Sequence, residues 1–281
     1  MGLYSIIVRP FIRKMDLEKA SRIGLGYFKL LGRIPFGRSI ARLLRGNRRK
    51  VLPREVFGLS FCNPVGLGAG LDIHGELYND LGNLGFSFVE VGPMGSSGIR
   101  KAIRNVQQDP QKGILAVCID SDHHTAFTLA YDFFDFFVID MGRDPFNTDI
   151  PDAILESRIT ENEYKPVILK FPETLNGSTL DSVTDYCLLN GVDGIELRDM
   201  SQVERVRSYG SGKLPIIANC HIDSPVEAAR ALELGASLVE IRTGLVREGP
   251  QVVSQMLQFL SENDSPEGDN SENDSSENEE S

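Results

Sequence analysis

Eight short apolar runs recur along the middle of this chain, each followed by a stretch that reads as a helix. They are PVGLGA (64–69), FVEVGP (88–93), ILAVCID (114–120), FFVIDM (136–141), PVILKF (166–171), GIELRD (194–199), PIIANC (215–220) and LVEIRT (238–243). Successive runs begin roughly 20–30 residues apart, the length of one strand–helix unit in a parallel α/β fold. Each is nearly continuous in Val, Ile, Leu or Phe, as strands covered on both faces must be. Three open with Pro64, Pro166 and Pro215, and a parallel strand tolerates proline at its first position. Eight such units predict an α/β protein, a closed (β/α)8 TIM barrel. Its chemistry is then expected in the loops that follow the strands.

Charge divides the chain into three expected regions. Residues 1–50 carry 13 Lys/Arg against 2 Asp/Glu, residues 262–281 carry 9 acidic groups and no basic one, and the whole chain has a net charge of −11. The barrel, expected over 51–261, is therefore acidic, which argues against nucleic acid as a partner. In residues 1–50, Asp16 can cap a helix whose Leu17, Ala20, Tyr27, Phe28 and Leu31 form an apolar stripe, with Gly24 and Gly26 weakening it. A second short helix is expected over GRSIARLLRG. This N-terminal helical extension reads either as a cap on the barrel or as a basic, membrane-contacting surface. The tail 262–281 holds only Ser, Glu, Asn, Asp, Gly and Pro, so it is expected to be disordered.

Cys62, Cys118, Cys187 and Cys220 are widely spaced without a C-x-x-C pair, which predicts reduced thiols and no zinc site. No run approaches the ~18 apolar residues that span a bilayer. No small-residue cleavage site follows the first apolar stretch, and Ile6 stands where a myristoylation signal needs Ser or Thr. The expected location is cytoplasmic, with residues 1–50 able to hold the protein peripherally on the inner face of the cell membrane. His74, His123, His124 and His221 lack the spacing of a metal site, and no metal is expected. Between strands, SPVEAARALELG sets Ser224 three residues before Glu227, a capping box, with Gly235 ending the helix.

At the strand ends, GLGAGLDIHGE (66–76) offers small residues beside which a ligand or backbone can approach. Strand eight ends in Arg242-Thr243-Gly244, a turn compatible with phosphate, whereas strand seven ends Ala218-Asn219-Cys220-His221 with no glycine. Lys170 closes the fifth run inside an apolar context and needs an anionic partner, from a ligand or from within. Glu90, Asp120, Asp140, Glu196 and Asp199 are candidates, and Arg198 and Arg242 add to a charged interior.

Two blocks carry a resemblance. GLSFCNPVGLGAGLDIHGE with LGNLGFSFVEVGP is similar to GL-x-F-x-NPVGLAAGFDKNGE and LGFGFVEVGT of the quinone-linked (class 2) dihydroorotate dehydrogenases. LPIIANCHIDSPVEAARALELGASLVEIRTGLVREGP resembles that family's PIIGVGGI and AGASLVQ(L/I)Y(T/S)G close, and YSIIVRPFIRKMDLEKASRIGLGYFKLL resembles its membrane-seated N-terminal helices. The resemblance implies FMN in the barrel mouth, oxidation of dihydroorotate to orotate with quinone in pyrimidine biosynthesis, and a serine base in NVSSPNT. It assigns cofactor contacts to Gly66, Ala69, Gly70, Lys170, Thr243 and Gly244.

The departures are as informative. Ile73 replaces the lysine of FDKNG, the PRPQPGNPKPR and NRMGFNN segments are missing, and Cys118 stands for a strand-three asparagine. NVSSPNT becomes residues 140–146 with Arg143 at the serine-base position, TNTT becomes Arg198-Asp199-Met200-Ser201, GGLSG is gone, and GVGG becomes Ala218-Asn219-Cys220-His221. No catalytic residue is therefore assigned. The expectation is a degenerate, shortened family member that has lost the chemistry and persists in a binding or regulatory role, FMN being lost or weakly held. The alternatives are an active or altered FMN-dependent dihydroorotate dehydrogenase and a barrel rebuilt around another small anionic ligand. The sequence names no protein partner.

Overall fold

The computed structural model describes residues 52–110, 113–142, 147–171 and 175–263, together with Tyr4, Pro10, Met15, Lys19, Ile23, Gly24, Gly26 and Tyr27. The Asp16 cap, the second basic helix, Arg143 and the tail beyond Asn263 lie outside the described residues.

A two-stranded hairpin, β1 (Arg54–Val56) and β2 (Leu59–Phe61), precedes the barrel. The eight barrel strands then follow in chain order. They are β3 (Val65–Leu67), β4 (Phe88–Met94), β5 (Ile114–Ile119), β6 (Phe136–Asp140), β7 (Val167–Lys170), β8 (Gly194–Leu197), β9 (Ile216–Ala218) and β10 (Leu238–Ile241). All pair in parallel, and β10 closes the ring on β3 through the Val239–Val65, Glu240–Gly66 and Ile241–Leu67 register. Each of the eight apolar runs coincides with one of these strands, β4 extending one residue further to Met94.

The connecting helices are α1 (Tyr78–Gly82), α2 (Ser96–Gln108), α3 (His123–Ala130), α4 (Asp149–Ile159), α5 (Gly177–Asn190), α6 (Met200–Tyr209), α7 (Pro225–Glu233) and α8 (Thr243–Glu248), and α9 (Gln251–Asn263) ends the described chain. Their ends follow local chemistry. The Asn176 carboxamide accepts from the Thr179 N–H at the start of α5, and Gly191 ends it with φ +76°. The expected Ser224–Glu227 capping box starts α7.

Period-two alternation sorts the strand residues. Val89, Val91, Leu169, Ile195 and Val239 face the helices in the larger core, while Phe88, Phe136, Ile168, Ile217 and Leu238 fill the barrel interior. The hairpin plugs the lower end. Phe61 meets Phe88 edge-on at 5.5 Å, Phe88 meets Phe136 at 5.6 Å, and Phe57 packs near both Phe61 and Phe136. With its floor filled by aromatic rings, the barrel's described residues leave space for a ligand at the other end, where the strands finish.

The described part of the N-terminal segment is attached to this body. Tyr4 is buried, donates its hydroxyl to the Val246 carbonyl, and meets the Tyr27 ring edge-on at 5.0 Å. Gly249, at φ +85°, makes room for the Tyr4 ring, since a Cβ there would lie 2.3 Å from it. Among the described residues, no helix is long and apolar enough to cross a membrane.

Candidate functional site

The same alternation that places Phe88 inside the barrel places Glu90 inside one layer higher. Repeated on β7, β8 and β10, it brings Lys170, Glu196 and Glu240 into that layer. All four are buried, each at 2% exposure or less, so their charges are out of water and depend on one another. The Lys170 Nζ donates to Glu196 Oε1 at 2.7 Å and to Glu90 Oε1 at 3.4 Å. From β9's end, the Asn219 amide donates to Glu196 Oε1 and Glu240 Oε2, both at 2.9 Å.

One ammonium among three carboxylates leaves a surplus of negative charge. Burial, and then the Glu90 charge, push the Glu196 carboxyl up to about 7, with Lys170 pulling the other way. Burial, followed by Glu90 and Glu196, holds Glu240 well above the ordinary carboxylate range. The nearness of Glu90 and Glu196 therefore favours the protonated form of Glu240. Burial opposes the Lys170 charge, but Cys118, Glu196 and Glu90 outweigh it and raise its pKa well above that of a free lysine. One ligand atom from each glutamate lies within 4.8 Å of the others, a spacing open to a hard cation. Lys170 already supplies the positive charge there.

Above this layer lies the mouth, a cavity of about 90 Å³ whose lining includes Ala69, Asp140, Arg198, His221, Arg242 and Thr243, with Lys170, Asn219 and Glu240 as its floor. Arg198 sits 3.7 Å from Asp140, which also accepts from the Gly142 N–H. Arg242 donates to the Ala69 carbonyl at 3.3 Å. Its guanidinium fills the concavity of Gly70, where φ is +101° and a Cβ would lie 2.6 Å from Arg242.

The expected site residues divide by layer. Ala69, Lys170 and Thr243 line the mouth. Gly70 meets Arg242, and Gly244 packs on the Asp223 backbone, where a Cβ would lie 3.0 Å from its Cα. Gly66 is deeper: a Cβ there would lie 2.1 Å from the Phe88 ring, so its missing side chain makes room for that phenylalanine. Arg143 lies outside the described residues. Of the carboxylates expected near Lys170, Glu90 and Glu196 reach it, whereas Asp199 caps α6 through the Ser201 N–H and Asp120 is exposed beside Ser121. Asp140 pairs with Arg198. Glu240 and Asn219 join the cluster from outside the set of partners expected from the sequence. The signal for Glu240 was present, because LVEIR repeats the Val-Glu-hydrophobic alternation of FVEVG.

The GLGAGLDIHGE segment is shaped from within. The buried Asp72 carboxylate accepts from the Glu76 and Leu77 N–H groups at 2.8 and 2.7 Å and folds the loop back on itself. Ile73 is 45% exposed at the position of the resembling family's lysine. All four cysteines are free, with Cys118 buried beside Lys170 Nζ at 3.9 Å.

The fit to FMN can be judged from these contacts. The lysine that the resemblance assigns to the flavin is engaged by two buried glutamates. The glycine concavity is filled by Arg242, and Glu240 faces the cavity from the position where the family pattern has Gln. A volume of about 90 Å³ is also well below the roughly 300–1,000 Å³ of sites that enclose ligands of drug or cofactor size. As described, the residues do not fit the flavin.

No protein-family model matches the chain. Its sequence is 24% identical to a dihydroorotate dehydrogenase (quinone) of Alkalilimnicola ehrlichii over 340 aligned positions, covering 91% of this chain and 98% of the relative. It is 26% identical to one of Christiangramia forsetii over 338 positions, covering 92% and 99%. Both alignments are longer than the 281-residue chain, so the chain lacks segments that these relatives have. Among solved structures, ligand-free DHODH from Eimeria tenella superposes with a TM-score of 0.65 at 18% identity, covering 79% of this chain and 92% of that one. DHODH of the same organism in complex with ferulenol gives 0.64 at 17%, covering 81% and 91%. Over nine-tenths of its length the chain is thus similar in sequence to dihydroorotate dehydrogenases (quinone), at 22–26% identity, and its closed barrel has the fold of solved DHODH chains.

Proposed function

We propose that this barrel is a non-catalytic offshoot of the dihydroorotate dehydrogenases, which has given up FMN and dihydroorotate oxidation and serves as a binding or regulatory protein. The observation that carries this reading is the pairing of Lys170 with Glu196 at 2.7 Å beneath a mouth narrowed by Arg242. A lysine held by two buried carboxylates is not available to a flavin ring. Displacing those partners would strand their charges in the barrel interior, at a cost of several kcal/mol.

The sequence departures point the same way. Loss of a general base removes about 10²–10⁴-fold in rate. Arg143, at the family's serine-base position, cannot accept a proton near neutral pH. Missing asparagine donors leave a dihydroorotate molecule without the contacts that orient it, and positioning is worth several kcal/mol. These losses compound one another.

The test is direct. Purified protein is expected to be colourless, to show no spectral or thermal shift on titration with FMN, and to form no orotate from dihydroorotate with a quinone acceptor. A yellow preparation that forms orotate would overturn the reading.

The basic N-terminal segment supports a second part of the proposal, peripheral attachment to the inner face of the cell membrane. Its 13 Lys/Arg against 2 acidic residues favour anionic lipid. Full-length protein is expected to sediment with phosphatidylserine-containing vesicles at low salt and to be released at high salt. Failure to sediment at low salt would end this part.

A further inference from the structure

With no flavin in the mouth, the reading on which this inference rests, the space above Lys170 is open to a smaller ligand. Its charges can be counted. Lys170 and Glu196 cancel, as do Arg198 and Asp140. Glu90 and Glu240 remain, and burial with the neighbouring carboxylates favours a proton on Glu240; Arg242 lines the same cavity. Among the described residues Arg242 has no carboxylate within ion-pair distance, and its hydrogen bond is to the neutral Ala69 carbonyl. It is nonetheless held in place, seated in the Gly70 concavity. A guanidinium fixed in a cavity without its own counter-ion is a receptor for an oxyanion.

An anion on Arg242 would also face Glu240 and the buried charge below it. That repulsion is relieved if the cluster takes up a proton. Positions for protons exist: Glu90 Oε2, Glu196 Oε2 and Glu240 Oε1 are buried and lack hydrogen-bond partners among the described residues. We propose that the barrel mouth binds a compact oxyanion, phosphate-like or carboxylate, on Arg242 and Arg198, and that one proton enters the Glu90–Glu196–Glu240 cluster with each anion bound.

The groups facing the cluster are known from every strand. β4, β7, β8 and β10 supply Glu90, Lys170, Glu196 and Glu240, and β9 ends in the neutral Asn219. β5 and β6 supply Cys118 and Asp140, and just past β3 lies Gly68, where an added Cβ would be 2.8 Å from Glu240. His221 lines the rim and His123 contacts the Asp140 carbonyl at 3.1 Å, so imidazole titration must be separated from that of the cluster. The Glu196 carboxyl, pushed up to about 7, places the proton uptake near neutrality.

Calorimetric titration of the full chain with sulfate, which does not itself titrate near neutral pH, tests both halves in buffers of different ionisation enthalpy. Uptake of about one proton per sulfate is expected above neutrality. Affinity should fall about tenfold per pH unit above the cluster's pKa and level off below it. Malonate in a parallel arm distinguishes a carboxylate ligand from a phosphate-like one, and binding of either supports the site. Arg242→Gln should weaken binding at least about tenfold, the loss of one charge-assisted contact. The double variant Glu196→Gln/Glu240→Gln, which leaves a neutral Lys170–Glu90 pair, should bind without proton uptake. Should that variant not fold, Glu196→Gln alone makes the same comparison.

The proposal is overturned if neither anion binds at millimolar concentration or if Arg242→Gln binds as well as the wild type. It is also overturned if proton uptake survives in the glutamine variant and disappears in His221→Asn. Protein that retains FMN would refute the preceding reading and this one together. FMN-free protein that binds neither anion refutes this one alone.

Discussion

Lys170 donates to Glu196 at 2.7 Å in the interior of a closed barrel, with both side chains at 3% exposure or less. The two residues lie on adjacent strands, paired in register, so the contact follows from strand order rather than from a flexible loop. A salt bridge in this setting is weak evidence for stability, but breaking it from one side is costly.

Lys170→Met is the one-sided break. It leaves Glu90, Glu196 and Glu240 buried with no cation, and the expected loss is about 3–5 kcal/mol at neutral pH. Because the abandoned carboxylates can take up protons instead, the loss should shrink in mild acid. Urea unfolding of the variant and the wild type at two pH values measures both. A cost below about 1 kcal/mol, or one independent of pH, would mean the cluster is not charged as described.

The wild type should itself respond to pH. Glu196 titrates at about 7 when folded against an ordinary value of 4.5, so between these values the folded state holds more protons than the unfolded one. Stability contributed by this group is therefore greatest below the unfolded value. It falls as pH rises toward the folded value and is level above it, a change on the order of 3 kcal/mol. Glu240 is shifted in the same direction and extends the decline to higher pH. The melting temperature of the wild type, measured against that of Glu196→Gln, should show this difference. Parallel pH profiles for the two proteins would contradict it.

Much of the barrel was legible because its signals are local. Strand position follows from continuous apolar runs, and Ser224 with Glu227 announces its own helix start. The hairpin at Arg54–Phe61 is not legible in the sequence, since three-residue strands carry little periodicity and its packing is set by Phe88 and Phe136 far along the chain. The site was legible in part. A lysine inside an apolar run calls for a carboxylate, but which one depends on which strands meet at the same height. Glu90 and Glu196 were among the candidates, while Glu240 needed the β10–β3 closure to bring it across. Arg242 over Gly70 could not be read at all, because the contact spans 172 positions and depends on a rotamer.

Ser224→Ala tests the most local of these signals. The Ser224 hydroxyl accepts from the Glu227 N–H at 3.3 Å, and Glu227 Oε2 accepts from the Ser224 N–H at 2.9 Å. Removing the hydroxyl should cost about 1 kcal/mol in denaturant unfolding, whereas Ser224→Asp should restore most of it. Equal stability of the alanine and aspartate variants would show that the cap is immaterial.

Gly66→Ala tests the deepest contact. The position was expected to serve a cofactor, and its surroundings instead give it a packing role against Phe88. A methyl group added there meets the ring at 2.1 Å, with the ring itself wedged between Phe61 and Phe136. The ring cannot retreat without opening the floor of the barrel, so overpacking should cost about 1–3 kcal/mol. Phe88→Leu alone should also destabilise, by leaving space among the aromatic rings. Combined, the two changes exchange volume across one contact, and the double variant should be more stable than the sum of the single losses predicts. A double-mutant cycle in urea reads the coupling directly. Strict additivity would mean that Gly66 is not kept small by Phe88, and would return the position to the list of candidate ligand contacts.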